Sequence, residues 1–280
     1  MHLLQSLADF SHTIYQSSDG MMDSSLDELL LADVFLKEVN RHPEQIIWHI
    51  WPLEKTVILG MADCRLPHLA QGLEGIQKQG YQPLVRSIGG LAVVADAGVV
   101  NLSLIIPNRL GEERLDLGQA YQLMVACIKE IFSLAGYSYE VEVGEIRDSY
   151  CPGAYDLSIK GKKFAGLAQR RIQSGIAISA YLSISGSQQE RGELIRDFYQ
   201  ASLGELPELS YPQVNPASMG TLSDLLGQPV QTGAVLKGLT RLVNRLGHRP
   251  LSYTLSLENL ADLAKGKKEA LARQQKVGLG

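Results

Sequence analysis

The 280-residue chain is 45% hydrophobic and 20% charged, the composition of an ordinary globular protein with enough length for a sizeable core. A net charge of −4 argues against the basic footprint of a nucleic-acid binder, and no window approaches ~18 uninterrupted apolar residues, so no membrane-spanning helix is expected. Asp9 breaks the run that an export signal would keep apolar, and the three cysteines lack a CxxC pair, which speaks against a disulfide framework or a zinc site; a cytoplasmic protein with free thiols is expected.

In chain order, Ser25 with Glu28 three residues on has capping-box spacing and opens an amphipathic run over 26–39. Short β-type runs follow at 46–51 and 56–60, then a helical pattern over 66–79. Residues 83–107 read as three strands separated by turns at Gly89-Gly90 and at 96–98. A helix is predicted over 117–134, with Cys127 inside its apolar surface. Strands are predicted at 137–143, 155–159, 163–169 and 176–184, the last with Ala177, Ser179 and Tyr181 alternating against Ile178, Ala180 and Leu182. Helices over 190–201, 222–226 and 234–246 come next, and the charged run 257–276 reads as an exposed helix prone to fray. Strands concentrated in the first two thirds and helices in the last predict an α+β fold. The proline-rich stretch 207–216 is the candidate linker between a core at 1–206 and a mainly helical extension at 207–280 packed on it.

Two stretches have the residue types that chemistry needs. The first is Arg86-Ser-Ile-Gly-Gly-Leu-Ala-Val-Val-Ala-Asp-Ala-Gly98. Adjacent glycines let backbone approach a ligand closely, and Asp96 can bond nearby amides in the turn that Gly98 permits. An ordinary hairpin accounts for the pattern as well. There is no GxGxxG or GxxxxGK[ST] nucleotide fingerprint.

The second is Ser149-Tyr-Cys-Pro-Gly-Ala-Tyr-Asp-Leu-Ser-Ile-Lys-Gly-Lys-Lys-Phe-Ala-Gly-Leu-Ala-Gln-Arg-Arg171. Pro152-Gly153 place Cys151 at a turn, where its sulfur is accessible. A hairpin of 155–159 with 163–169 brings the second strand near that turn. A thiol reacts as its thiolate, which a nearby cation favours; with no histidine between His68 and His248, lysine or arginine must supply it. Strict alternation puts Lys163, Ala165 and Leu167 on one face and Phe164 on the other. An exposed basic hairpin with an incidental cysteine also fits. Cys64 and His49 are better explained as packed residues.

Together the two stretches resemble the biotin/lipoate protein ligase and lipoyl transferase superfamily. Arg86, Gly89, Gly90, Ala92, Val93, Asp96 and Gly98 match its glycine-loop pattern, and Lys163, Ala165, Gly166, Ala168 and Arg170 its lysine-strand pattern. The resemblance covers roughly residues 30 to 250. It is nearest to the octanoyl-[glycine cleavage H protein]:protein octanoyltransferase family, through residues 89–96, 150–159 and 161–171.

That resemblance implies a ligase-like catalytic domain with a mixed β-sheet flanked by helices. It implies an acyl thioester on Cys151, with Lys163 favouring the thiolate, and a substrate-binding set of Arg86, Gly89, Gly90, Leu91, Ala92, Asp96, Ala165 and Gly166. The implied partners are octanoylated H protein as donor and lipoyl domains of 2-oxo-acid dehydrogenases as acceptor, with no cofactor or metal. Leu91 and Ala95 stand where ATP-dependent lipoate ligases carry a third glycine and a histidine. Transfer from octanoyl-acyl carrier protein to H protein, an ATP-dependent ligase and a noncatalytic lipoyl-domain binder remain as alternatives.

Overall fold

The computed structural model describes residues 2–17, 24–204 and 211–279. Its first part contains α1 (His2–Gln5), β1 (Ser11–Gln16), α2 (Ser25–Arg41), β2 (Gln45–Trp51), β3 (Thr56–Leu59) and α3 (Leu69–Lys78). Next come β4 (Gln82–Val85), β5 (Val93–Ala95), β6 (Val99–Pro107), the short β7 (Arg109–Leu110) and β8 (Glu113–Arg114), and α4 (Leu117–Ala135). The cysteine region holds β9 (Glu142–Val143), β10 (Leu157–Ile159), β11 (Lys162–Ile172) and β12 (Gly175–Ser183). The chain ends with α5 (Gln188–Leu203), α6 (Leu222–Leu226), α7 (Gly233–Arg245), β13 (Leu251–Ser252) and α8 (Leu257–Lys276). Among the described residues no helix is long and apolar enough to cross a membrane.

A large mixed sheet runs β13-β1-β2-β6-β12-β11-β10-β9. Its first two pairings are parallel and the rest antiparallel. All nine residues of β6 are buried, as expected of a strand covered on both faces. Period-2 alternation sorts the side chains: Ile46, Trp48 and Ile50 join Ile176 and Ile178 against α4 and α7, while Ile47, Ile105 and Ala177 meet α2. A smaller sheet, β4-β3-β5, packs with α3 and α5 around Val57, Leu59, Leu73, Val94 and Phe198. The α+β architecture expected from element order is the one observed.

Several local expectations are corrected. Helix α2 is preceded by Ser24 as N-cap, and Ser25 is its first residue, so Ser25 and Glu28 form no capping box. Glu28 instead turns inward to Ser17 and to His49 Nε2, 3.2 Å away. Strands β4 and β5 do not pair with each other: they flank β3 on opposite sides, so the glycine segment is a crossover and not a hairpin turn. Of the strand expected at 137–143 only Glu142–Val143 pairs; Tyr137, Tyr139 and Val141 pack on the core without a ladder.

Helix α8 is docked, not loose. Leu263 and Ala270 are buried against α2, where Asp262 pairs with Lys37 and Arg41, and Lys267 with Asp27. The Gln274 amide donates to Val85 O and accepts from Val85 N–H, both at 2.9 Å, and so closes the free edge of β4. Of the candidate linker, 207–210 lie outside the described residues. Tyr211 donates to Ala62 O and Asn215 N–H to Asp148 O, tying the following segment to the body of the protein.

Candidate active site

Cys151 sits on the loop between β9 and β10, at a backbone φ of +49°. Left-handed backbone is costly for a side chain with a Cβ and persists only where its surroundings hold it. Two anchors do so here. The ring of Tyr150 is buried, its hydroxyl bonded to that of Tyr181 and accepting from Gln188 Nε2 at 2.8 Å. On the other side, the Lys163 ammonium donates to the carbonyls of Tyr150 (3.1 Å) and Cys151 (2.8 Å) and to Ser149 Oγ (3.2 Å).

Lys163 is 3% exposed and its charge is met by Asp156 Oδ1 at 3.0 Å. The second oxygen of Asp156 accepts from the N–H groups of Ile146 and Gly153, which folds the loop into its turn. Burial pushes the Asp156 carboxyl up, and Lys163 only partly opposes it.

The hairpin that delivers Lys163 is closed by Lys160 and Gly161, both at positive φ, the backbone of a type I′ turn. Its ladder contains a bulge: Ser158 pairs with Lys163 and Leu157 with Ala165, leaving Phe164 as the extra residue. A bulge re-aims the side chains beyond it. Phe164 and Ala165 therefore both enter the main core, while Lys163 and Gly166 both line the cavity beside Cys151. The strict alternation that placed Ala165 with Lys163 is overturned.

The cavity lies between the two sheets and α2, walled by apolar groups including Leu29, Ala32, Ile58, Val93 and Leu167, with Trp51 and Tyr181. Three polar side chains of its wall have partners: Trp51 Nε1 donates to Ser103 Oγ, which pairs with Ser179 Oγ, and Asn101 donates to Trp51 O. An acyl chain suits such a lining.

The glycine crossover also borders Cys151, with Arg86, Ser87 and Ile88 lining the same cavity. Leu91 N–H donates to the sulfur at 3.1 Å, and Arg86 Nη2 lies 3.6 Å from it. Among the described residues the cation with a hydrogen-bond contact to the sulfur is Arg86; the hydrogen bonds of Lys163 go to oxygens. Gly90, at φ +107°, has no room for a Cβ, which would press on the Arg86 guanidinium and lie 2.9 Å from the sulfur. Gly89 faces open space.

The other expected residues are placed elsewhere. Ala92 is fully buried, and its N–H donates to Tyr199 Oη at 3.1 Å. Asp96 accepts from Tyr81 (2.7 Å) and Arg191 (2.7 Å), outside the cavity, where it fastens α5 to the small sheet. Cys127 is fully buried in α4, and burial pushes its thiol up. Cys64 donates to Gly60 O, and its thiol is raised by burial and by Asp63.

Sequence reasoning missed two supports. Asp156 was legible, since it lies in the Tyr-Asp-Leu-Ser-Ile run at 155–159. Asp63 was not. It is fully buried, accepts from Gly60 N–H (2.7 Å) and Tyr199 (2.9 Å), and burial pushes its carboxyl up to about 6 against those bonds and the charge of Arg86. It links α5, through Tyr199, to the glycine crossover.

The sequence matches the lipoyl protein ligase A/B catalytic domain over residues 24–242. It is 44% identical over 198 residues to the octanoyl-[GcvH]:protein N-octanoyltransferase of Exiguobacterium sibiricum, covering 70% of this chain and 71% of that one. It is also 44% identical over 232 residues to the lipoyl-[GcvH]:protein N-lipoyltransferase of Listeria monocytogenes, covering 81% of each. Among solved structures, lipoate-protein ligase A bound with ATP superposes with a TM-score of 0.67 at 16% identity, covering 97% of this chain and 100% of that one, a likeness of fold. With its catalytic domain matched over most of its length and relatives at this level of identity, the chain belongs to the lipoyl protein ligase A/B catalytic-domain family.

Proposed function

We propose that the protein moves an octanoyl group from the lysine of octanoylated glycine cleavage H protein to the lysine of lipoyl domains of 2-oxo-acid dehydrogenase complexes, through a thioester on Cys151. The observation that carries this reading is a cysteine sulfur held by a left-handed turn against an apolar cavity, with a backbone N–H directed at it. The names of the relatives, which act on H protein, supply the substrate class.

In the first step the Cys151 thiolate attacks the octanoyl amide carbon. The S–C bond forms, the amide C–N bond breaks through a tetrahedral oxyanion, and the donor lysine leaves as an amine after taking a proton. In the second, the acceptor ε-amine attacks the thioester carbon, loses a proton, and expels the thiolate. One lysine amide replaces another, so the exchange is nearly thermoneutral and needs no nucleotide. The apolar walls keep water from the thioester. Lys163 and Asp156 hold the loop that carries the sulfur. Residues 211–279 belong to the same catalytic unit, and the free thiol that the chemistry needs fits action in the cytoplasm.

The test mixes purified protein with octanoylated H protein and an apo lipoyl domain, without ATP. Octanoyl transfer is expected, with a mass increase of one octanoyl group on the Cys151 peptide. Transfer that persists in Cys151→Ala overturns the thioester, and strict ATP dependence overturns the transferase reading.

A further inference from the structure

We infer that Arg86 is a catalytic residue: with the Leu91 N–H, its guanidinium holds the oxyanion that forms when Cys151 attacks an acyl carbon. The inference rests on the thioester reading above.

The donors around the sulfur carry it. Leu91 N–H and Arg86 Nη2 approach Sγ from the same crossover, at 3.1 and 3.6 Å. Arg86 Nη2 also donates to Leu91 O at 2.9 Å, so the guanidinium fixes the very residue whose N–H is directed at the sulfur. Its Nε is buried without a partner, so a residue that lines the cavity keeps one donor unspent. Leaving such a group unsatisfied is costly in a resting protein and sensible where a ligand atom will meet it. Lys163 cannot fill this role: its three N–H groups already face four oxygens, those of Ser149, Tyr150, Cys151 and Asp156.

The geometry fits an oxyanion better than it fits sulfur alone. In the tetrahedral adduct the charged oxygen is two bonds from Sγ, so donors that converge on the sulfur in the free protein need only a small swing to reach it. Gly90 keeps that space open, because a Cβ there would meet both Arg86 and Cys151. A fixed cation and a fixed dipole beside an apolar cavity act where water screens them little. Behind Arg86, Tyr199 fixes the crossover at Ala92, and Asp63 ties Tyr199 to Gly60 at the end of β3.

Two reactions at the same sulfur separate the possibilities. Alkylation by iodoacetamide is a displacement at carbon with no oxyanion; acylation by 4-nitrophenyl octanoate passes through one. Both are run as single turnovers on the wild type, Arg86→Gln and Arg86→Lys, with thermal midpoints recorded. Compared as thiolate rate constants taken from pH profiles of each variant, Arg86→Gln is expected to slow acylation about 10²–10³-fold and to change alkylation by less than about threefold, with Arg86→Lys in between because it keeps charge without the fork. Parallel loss of both reactions, or an undiminished acylation rate, overturns the role given to Arg86. Failure of the wild type to form any Cys151 adduct with the ester overturns the thioester reading instead.

Discussion

Lys163 and Asp156 form an ion pair at 3.0 Å with side chains 3% and 2% exposed, which makes single and double substitutions predict opposite things. Taking two charges out of water costs several kcal/mol per ion, and the raised Asp156 carboxyl means that desolvation outweighs the attraction. The pair is therefore a poor source of stability, yet removing one member is expensive. Asp156→Asn leaves the ammonium with only neutral oxygens and should cost about 3–5 kcal/mol, or on the order of 10 °C in thermal midpoint. Lys163→Met should cost less, about 1–3 kcal/mol, because Asp156 keeps two backbone N–H donors and can take up a proton. The double variant should recover at least about 2 kcal/mol relative to the sum of the singles. Its transferase activity should stay low, since the carbonyls of Tyr150 and Cys151 have lost their tether. Urea unfolding midpoints of the four proteins read the cycle. Additive losses, or a double variant with full activity, would refute the argument.

At the glycine crossover, Gly90→Ala should lower transfer at least tenfold, and by much more than Gly89→Ala, because only Gly90 combines positive φ with contact to Arg86 and Cys151; equal effects in initial-rate assays would count against the packing described. Stability should be intact above about pH 6.5 and fall as pH drops below it, because burial holds His49 and His12 below the ordinary imidazole range, so that the unfolded chain binds more protons there. Asp63 works the other way, since its raised carboxyl sheds a burial cost as pH falls through about 6, so Asp63→Asn should steepen the acid loss in melts between pH 7.5 and 5. Gln274→Ala strands a buried N–H and C=O of Val85 and should cost about 2 kcal/mol; hydrogen exchange at Val85 unchanged from wild type would show that α8 does not seal that edge.

Most elements were legible because periodicity reports burial. The alternation of Ala177, Ser179 and Tyr181 against Ile178, Ala180 and Leu182 reproduces the two faces of β12, with the first set toward α2 and the cavity. Pairing was less legible. A run of strand, glycines and strand at 82–95 predicts a hairpin only if neighbours in sequence are neighbours in the sheet, and β3 lies between them. The charged helix at 257–276 was misjudged for a related reason. Its polar residues meet charges on α2 and an open strand edge, partners that its own composition does not reveal.

The same distinction governs the site. Motifs named Cys151, Lys163, Arg86 and Gly90, but which groups meet depends on one inserted residue and on a contact across 65 positions. Without the bulge at Phe164, Ala165 would share the cavity with Lys163; with it, Gly166 does, and a Cβ on Gly166 would lie 3.2 Å from Lys163 Cε and 3.4 Å from its ammonium. The glycine in the lysine strand thus makes room for the ammonium as it reaches Asp156 and the loop carbonyls. With the hydrogen bonds of Lys163 spent there, a cation in direct contact with the sulfur comes from another element, and the crossover supplies Arg86. A reading that takes the cation from the neighbouring hairpin strand picks Lys163, twelve residues from Cys151, and gives no sign that its hydrogen bonds go to the backbone of the cysteine and not to its side chain.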